Sequence, residues 1–135
     1  MKPVKPLGIF GQIHSQRSIA AMRDELAARV GGIPEADRRQ VSEYLRSGSV
    51  VIALMEHTTD VIDGKFSSAG GSGIFTDGEY YWRGDTALYV EHYGIELPSE
   101  FMDYGSGIHW TSPKLTQDEI LDIDDYLVSE LRRKR

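Results

Sequence analysis

Apolar residues recur at helical spacing in three parts of the chain and crowd into short β-prone runs between them. Ile19, Met22, Leu26 and Val30 share one helical face, with Ser15 as the capping residue and Gly31-Gly32 as the stop. Pro34 suits the first turn of a second helix, whose inner face is Val41, Tyr44 and Leu45 and which ends at Gly48. Val50-Val51-Ile52-Ala53-Leu54-Met55 is continuous rather than alternating, which predicts a strand buried on both faces. Residues 56–73 are turn-rich, and Val61-Ile62 is a candidate short strand within them. Asp77-Gly78, between Ile74-Phe75-Thr76 and Glu79-Tyr80-Tyr81-Trp82, predicts a hairpin with positive φ at both turn residues.

Asp85 is placed to cap a third helix running to Tyr93, with Gly94 closing it. Leu97-Pro98 opens a short helical turn that Gly105 and Gly107 break, and Ile108-His109-Trp110 reads as a short edge strand. Thr116 and Glu119 have capping-box spacing, and Ile120, Ile123, Leu127 and Leu131 then form an amphipathic stripe. Helices and strands are segregated, with no βαβ repeat. This predicts an α+β fold: N-terminal helices, a small and mostly antiparallel sheet, and a C-terminal amphipathic helix packed on it. Residues 1–14, broken by Pro3, Pro6, Gly8 and Gly11, read as an irregular or extended N-terminal arm.

The 135 residues are 40% hydrophobic and 27% charged, in keeping with a single domain over 1–135 that has its own core. There is no cysteine, which excludes a disulfide framework, a thiol nucleophile and a Cys-ligated metal or cluster. The N-terminus lacks the apolar segment of a signal peptide, and no stretch approaches the ~18 apolar residues of a membrane span. A cytoplasmic location of bacterial type is the expectation.

The net charge of −6 is unevenly spread. Residues 53–131 hold sixteen Asp/Glu against three Lys/Arg, a net −13, and Arg132-Arg133-Lys134-Arg135 then reverses the sign. Such a body disfavours nucleic acid and favours a basic protein partner. The basic tail complements the negative end of the last helix, whose Asp118, Glu119, Asp122, Asp124 and Asp125 lie toward its positive end.

Three constellations are candidates for function. Glu56, His57, Asp60 and Asp63 follow the predicted buried strand, and an imidazole among carboxylates suits a divalent metal. The competing reading is a carboxylate-rich turn bonded to its own backbone. The loop Ser67–Gly73 has glycines that suit phosphate, but no P-loop lysine follows and the surrounding charge is negative. The third is aromatic. Tyr80 and Trp82 take one face of their strand and Tyr81 the other, so at least one set belongs to a core or an interface. Rings left exposed in an acidic surface make a protein-binding hot spot.

The run Thr76-Asp77-Gly78-Glu79-Tyr80-Tyr81-Trp82, followed by Asp85, Tyr89-Val90, Tyr93, Leu97-Pro98 and Phe101, resembles a pattern in small, mostly uncharacterised actinobacterial proteins. Some of those look like immunity partners of toxins. The resemblance implies a hairpin, a helix packed on its tryptophan and a closing phenylalanine, and it implies no catalytic residue.

The leading expectation is a non-enzymatic protein-binding domain, an immunity-type inhibitor or regulator of a basic partner. Its expected contact residues are Glu79, Tyr80, Tyr81, Trp82, Asp85 and Glu91, with no cofactor, and self-association as a homodimer stays open. The alternative is a metal-assisted hydrolase built on His57, Asp60 and Asp63.

Overall fold

In the computed structural model, which describes residues 1–11 and 19–133 apart from the side chains of Ile19, Leu131 and Arg132, strands and helices alternate irregularly along the chain. In chain order the elements are β1 (Lys5–Pro6), a 3-10 turn (Gly8–Gly11), α1 (Ile19–Ala27), α2 (Glu35–Arg46) and β2 (Ser49–Ile52). Then come β3 (His57–Thr59), β4 (Ser67–Ala69), β5 (Ile74–Thr76), β6 (Tyr80–Arg83), α3 (Thr86–Tyr93), α4 (Ser99–Gly107) and α5 (Gln117–Arg133). The main sheet has the order β1-β6-β5-β2, and β3 and β4 form a separate two-stranded sheet. All pairings are antiparallel except β1 with β6. No helix among the described residues is long and apolar enough to cross a membrane.

The pleat of β6 organises the core. Tyr80 and Trp82 enter a large cluster with Tyr44, Leu45, Tyr89, Val90 and Phe101. Tyr81 points the opposite way, into a smaller cluster with Val4, Ile74, Ile123 and Leu127. The α+β expectation holds, and the C-terminal helix packs on the sheet. Ile123 and Leu127 are completely buried. Full burial contributes about 1.5–3 kcal/mol for each such side chain, which exceeds the ~1 kcal/mol of a typical cap. Packing therefore fixes α5 against the sheet. The predicted capping box sets where it begins: the Thr116 N–H donates to Glu119 Oε1 and the Glu119 N–H to Thr116 Oγ1, both at 3.1 Å.

Several local expectations are corrected. Within the N-terminal arm, residues 5–6 are extended as β1 and join the sheet through Lys5↔Tyr80, and Val4, Leu7 and Phe10 are buried, so these residues are part of the core. The strand expected over Val50–Met55 stops at Ile52, and residues 53–56 are irregular and exposed. β2 lies at the sheet's edge, so its apolar continuity does not mean burial on both faces. Val61-Ile62 belongs to a turn, and the two-stranded sheet forms from β3 and β4 on either side of it. The hairpin turn has positive φ at Gly78 alone, because the Asp77 side chain closes it by accepting from the N–H groups of Glu79 and Tyr80. α4 runs through Gly105 to Gly107, and Ile108-His109-Trp110 is a turn with φ near +55° at His109 and Trp110. Ser15, His14, Lys134 and Arg135 lie outside the described residues.

Candidate functional site

The loop after β3 does not bring the candidate metal ligands together. Asp60 is buried, and its Oδ1 accepts from the Ile62 N–H at 2.8 Å. Its Oδ2 accepts from the Lys65 N–H at 2.9 Å and from the Tyr93 hydroxyl. Burial alone would raise this carboxyl, but the Tyr93 hydroxyl and the Lys65, Ile62 and Asp63 backbone donors hold it below the ordinary range. Glu56, His57 and Asp63 stay exposed. Among the described residues no group of three or more His, Cys, Asp or Glu side chains could hold a metal ion. The carboxylate-rich turn bonded to its own backbone is what forms.

The expected contact residues divide sharply. Glu79 and Glu91 are at the surface, and Glu91 is paired with Arg46 at 2.6 Å. Tyr80, Tyr81, Trp82 and Asp85 are buried, and so present nothing to a partner. The reason is topological: β6 lies between β1 and β5 and has a packed cluster on each face. Trp82 donates from its indole to the Leu45 carbonyl at 3.2 Å and meets Phe101 edge-on at 6.1 Å. Burial pushes the Tyr81 phenol up to about 12.

Asp85 joins the two sheets. Its Oδ2 accepts from Thr58 Oγ1 on β3 at 3.0 Å and from Arg83 on β6 at 2.8 Å. Burial raises this carboxyl, and Arg83 and Thr58 only partly offset the effect. Asp85 precedes α3 as expected but makes no side-chain cap to it: its backbone is helical (φ −83°, ψ −3°), Oδ2 turns to Thr58 and Arg83, and the buried Oδ1 has no partner among the described residues.

No family model, curated protein or solved structure matches this chain.

Two concavities stand out on the surface. One, of about 310 Å³, runs along α2, and its arginines are already engaged: Arg39 with Glu43, Arg46 with Glu91, and Arg38 with the Ile33 carbonyl. The other, of about 220 Å³, has Leu7, Phe10, Leu97 and Pro98 in its lining, and its Arg29 bonds the Glu25 carbonyl.

The feature that sequence reasoning missed is the edge. Val50 is 48% exposed, Leu54 40% and Met55 94%. Residues 48–55 carry no charge at all, in a chain that is 27% charged. The missing gatekeeper residues were the available signal. Helix α5, which packs against β2, borders this segment. It exposes Asp118, Asp122, Asp125 and Leu121, and none of these three carboxylates is in an ion pair among the described residues. The site is thus an exposed, uncharged apolar strip at the edge of the sheet, and the exposed acids of α5 face away from the sheet.

Proposed function

We propose that this chain is a non-enzymatic protein-binding domain, an inhibitor or regulator of immunity type, working in the cytoplasm on a basic partner. One observation supports it above the rest: three neighbouring apolar positions, Val50, Leu54 and Met55, face solvent within a segment, residues 48–55, that carries no charge. Clustered exposed apolar side chains mark interaction sites, whereas scattered ones do not.

Magnitudes assign the roles. Burying these side chains at an interface contributes at most about 1.5–3 kcal/mol each, whereas an exposed charge pair contributes about 0–1 kcal/mol. The apolar strip supplies affinity, and the acidic helix supplies fast encounter and a preference for basic surfaces.

Photo-cross-linking from position 55, with a benzophenone side chain in place of Met55, tests the reading in the native host. A single basic protein that later titrates at one-to-one stoichiometry is the expected result. Failure to capture any protein, or capture of acidic ones only, would sink it.

A further inference from the structure

We infer that Arg83, Asp85 and Ser72 together bind one buried water molecule, which completes the joint between the two sheets. The inference is independent of what the protein binds. Arg83 and Asp85 pair through a single hydrogen bond, from Nη2 to Oδ2 at 2.8 Å. The remaining carboxylate oxygen, Oδ1, and the guanidinium Nε are both buried, and neither has a partner among the described residues. The Asp85 side chain is only 2% exposed, so bulk solvent does not serve it. In each group the unpartnered atom is one bonded centre away from the paired atom, so Nε and Oδ1 flank the same contact.

The Ser72 hydroxyl is a third buried atom without a partner among the described residues. Its backbone runs alongside the ion pair. The Asp85 N–H donates to the Gly71 carbonyl at 3.0 Å and the Gly84 N–H to the Gly73 carbonyl at 2.8 Å, so the two bonds bracket Ser72. Glycine at 71 permits this approach, because a Cβ there would lie 2.0 Å from Thr58 Oγ1 and 3.2 Å from the Asp85 Cβ. Thr58 in turn donates to Asp85 Oδ2 at 3.0 Å. Strand β3, the end of β6 and the glycine loop therefore meet at one carboxylate.

The chemistry of the three atoms selects the occupant. Nε–H only donates, an ionised carboxylate oxygen only accepts, and a hydroxyl does either. Buried polar groups are rarely left without a partner, and a buried water typically makes about three hydrogen bonds to such groups. A water here accepts from Arg83 Nε, donates to Asp85 Oδ1 and bonds Ser72 Oγ. An ion fits poorly. A cation meets the Arg83 guanidinium and an anion the Asp85 carboxylate, and those two charges already offset each other. Because the water's partners lie on both the loop and the β6 end, it exchanges only when these separate.

A crystal structure of the full chain tests the site directly, with rubidium and bromide as the small ions and diffraction good enough to show ordered solvent. The expected result is one solvent peak without anomalous signal, about 2.5–3.2 Å from Arg83 Nε, Asp85 Oδ1 and Ser72 Oγ. A direct bond between Nε and Oδ1 with no such peak would overturn the inference. An anomalous peak at the site would do the same, since the occupant would then be an ion. Oxygen-17 relaxation dispersion of the solvent supplies a second readout in solution. Ser72→Ala removes one of the three bonds and should shorten the residence of one long-lived water roughly fivefold. Dispersion that is identical in wild type and Ser72→Ala would remove Ser72 from the site, and the inference would fall.

Discussion

The Tyr44 hydroxyl on α2 donates to Asp77 Oδ2 at 2.5 Å, with both residues buried. The other Asp77 oxygen, Oδ1, accepts from the Glu79 and Tyr80 N–H groups. One carboxylate therefore closes the β5–β6 turn and ties that turn to a helix 33 positions earlier in the chain. Burial first, and Asp77 second, push the Tyr44 phenol far above its ordinary range, so it stays a donor at any working pH.

Tyr44→Phe removes this donor and leaves a buried carboxylate oxygen short of a partner. A hydrogen bond to a charged group contributes about 1.5–3 kcal/mol, and a loss of that size is expected in urea unfolding. Because the ring remains, its contacts with Trp82, Phe101 and Trp110 should persist and the near-ultraviolet dichroism should change little. A loss below ~0.5 kcal/mol would mean that solvent reaches Asp77 in place of Tyr44.

What could be read from the sequence follows the range of the interaction. The capping box of Thr116 and Glu119, the Gly94 stop at φ 60° and the Asp-Gly hairpin are set by residues within four positions of each other. All three are present, although Asp77 closes the hairpin with its side chain rather than with a positive φ. The opposite-face placement of Trp82 and Tyr81 was legible because strand pleating has a period of two. The bond from Thr58 to Asp85 spans 27 positions, and β1 pairs in parallel across most of the chain with only two residues. Neither leaves a local pattern. The Val50–Met55 run shows the deeper limit. Continuity of apolar residues looks the same for a central strand and an edge strand, and only sheet order separates them.

Thr116→Ala should lower stability by ~1 kcal/mol, since it removes the side-chain acceptor of the box and leaves the Glu119 N–H without it. Lys2 also bonds Glu119 at 3.1 Å and holds the start of α5 near β1. Thermal unfolding of Thr116→Ala and Thr116→Ser checks this, with serine expected to restore the cap. Equal loss in both variants would show that the hydroxyl is not the active group.

Asp60→Ala should cost about 2–3 kcal/mol at neutral pH, because the Tyr93 hydroxyl and two backbone N–H groups lose their acceptor. The folded carboxyl lies below its ordinary 3.8, so its contribution is complete above that value. It is lost as pH falls through the folded pKa. The difference between wild type and variant should therefore close on acidification below about pH 4. A gap that is constant with pH would assign the loss to packing rather than to the ionised group.

Gly105→Ala would set a Cβ 2.2 Å from the Trp110 ring, closer than atoms tolerate. Trp110 packs edge-on against Tyr44 at 5.5 Å and holds a positive φ, so it has little freedom to yield. A cost of roughly 1–3 kcal/mol is expected, as for other overpacked sites. The displaced indole gains solvent, so tryptophan emission should move to longer wavelength, while Trp82 stays buried. Unchanged emission with reduced stability would place the relaxation in the α4 backbone instead.

Asp85→Asn should change the pH dependence of stability in the sense opposite to Asp60. Burial raises the folded Asp85 carboxyl above its ordinary 3.8, with Arg83 and then Thr58 offsetting part of the rise. Below 3.8 the folded and unfolded states are both protonated, and the group contributes nothing. As pH rises past that value, the unfolded chain gives up its proton first. The folded state becomes relatively less stable until its own carboxyl ionises, and the penalty then levels off. Asparagine cannot ionise, yet it keeps an oxygen for Thr58 and Arg83 to donate to. The stability of Asp85→Asn minus that of wild type should therefore increase from about pH 4 upward and reach a plateau. Urea unfolding at several pH values measures the slope directly. A difference that instead falls as pH rises would show that the Arg83 and Thr58 hydrogen bonds outweigh burial, and that the ionised carboxylate holds the two sheets together.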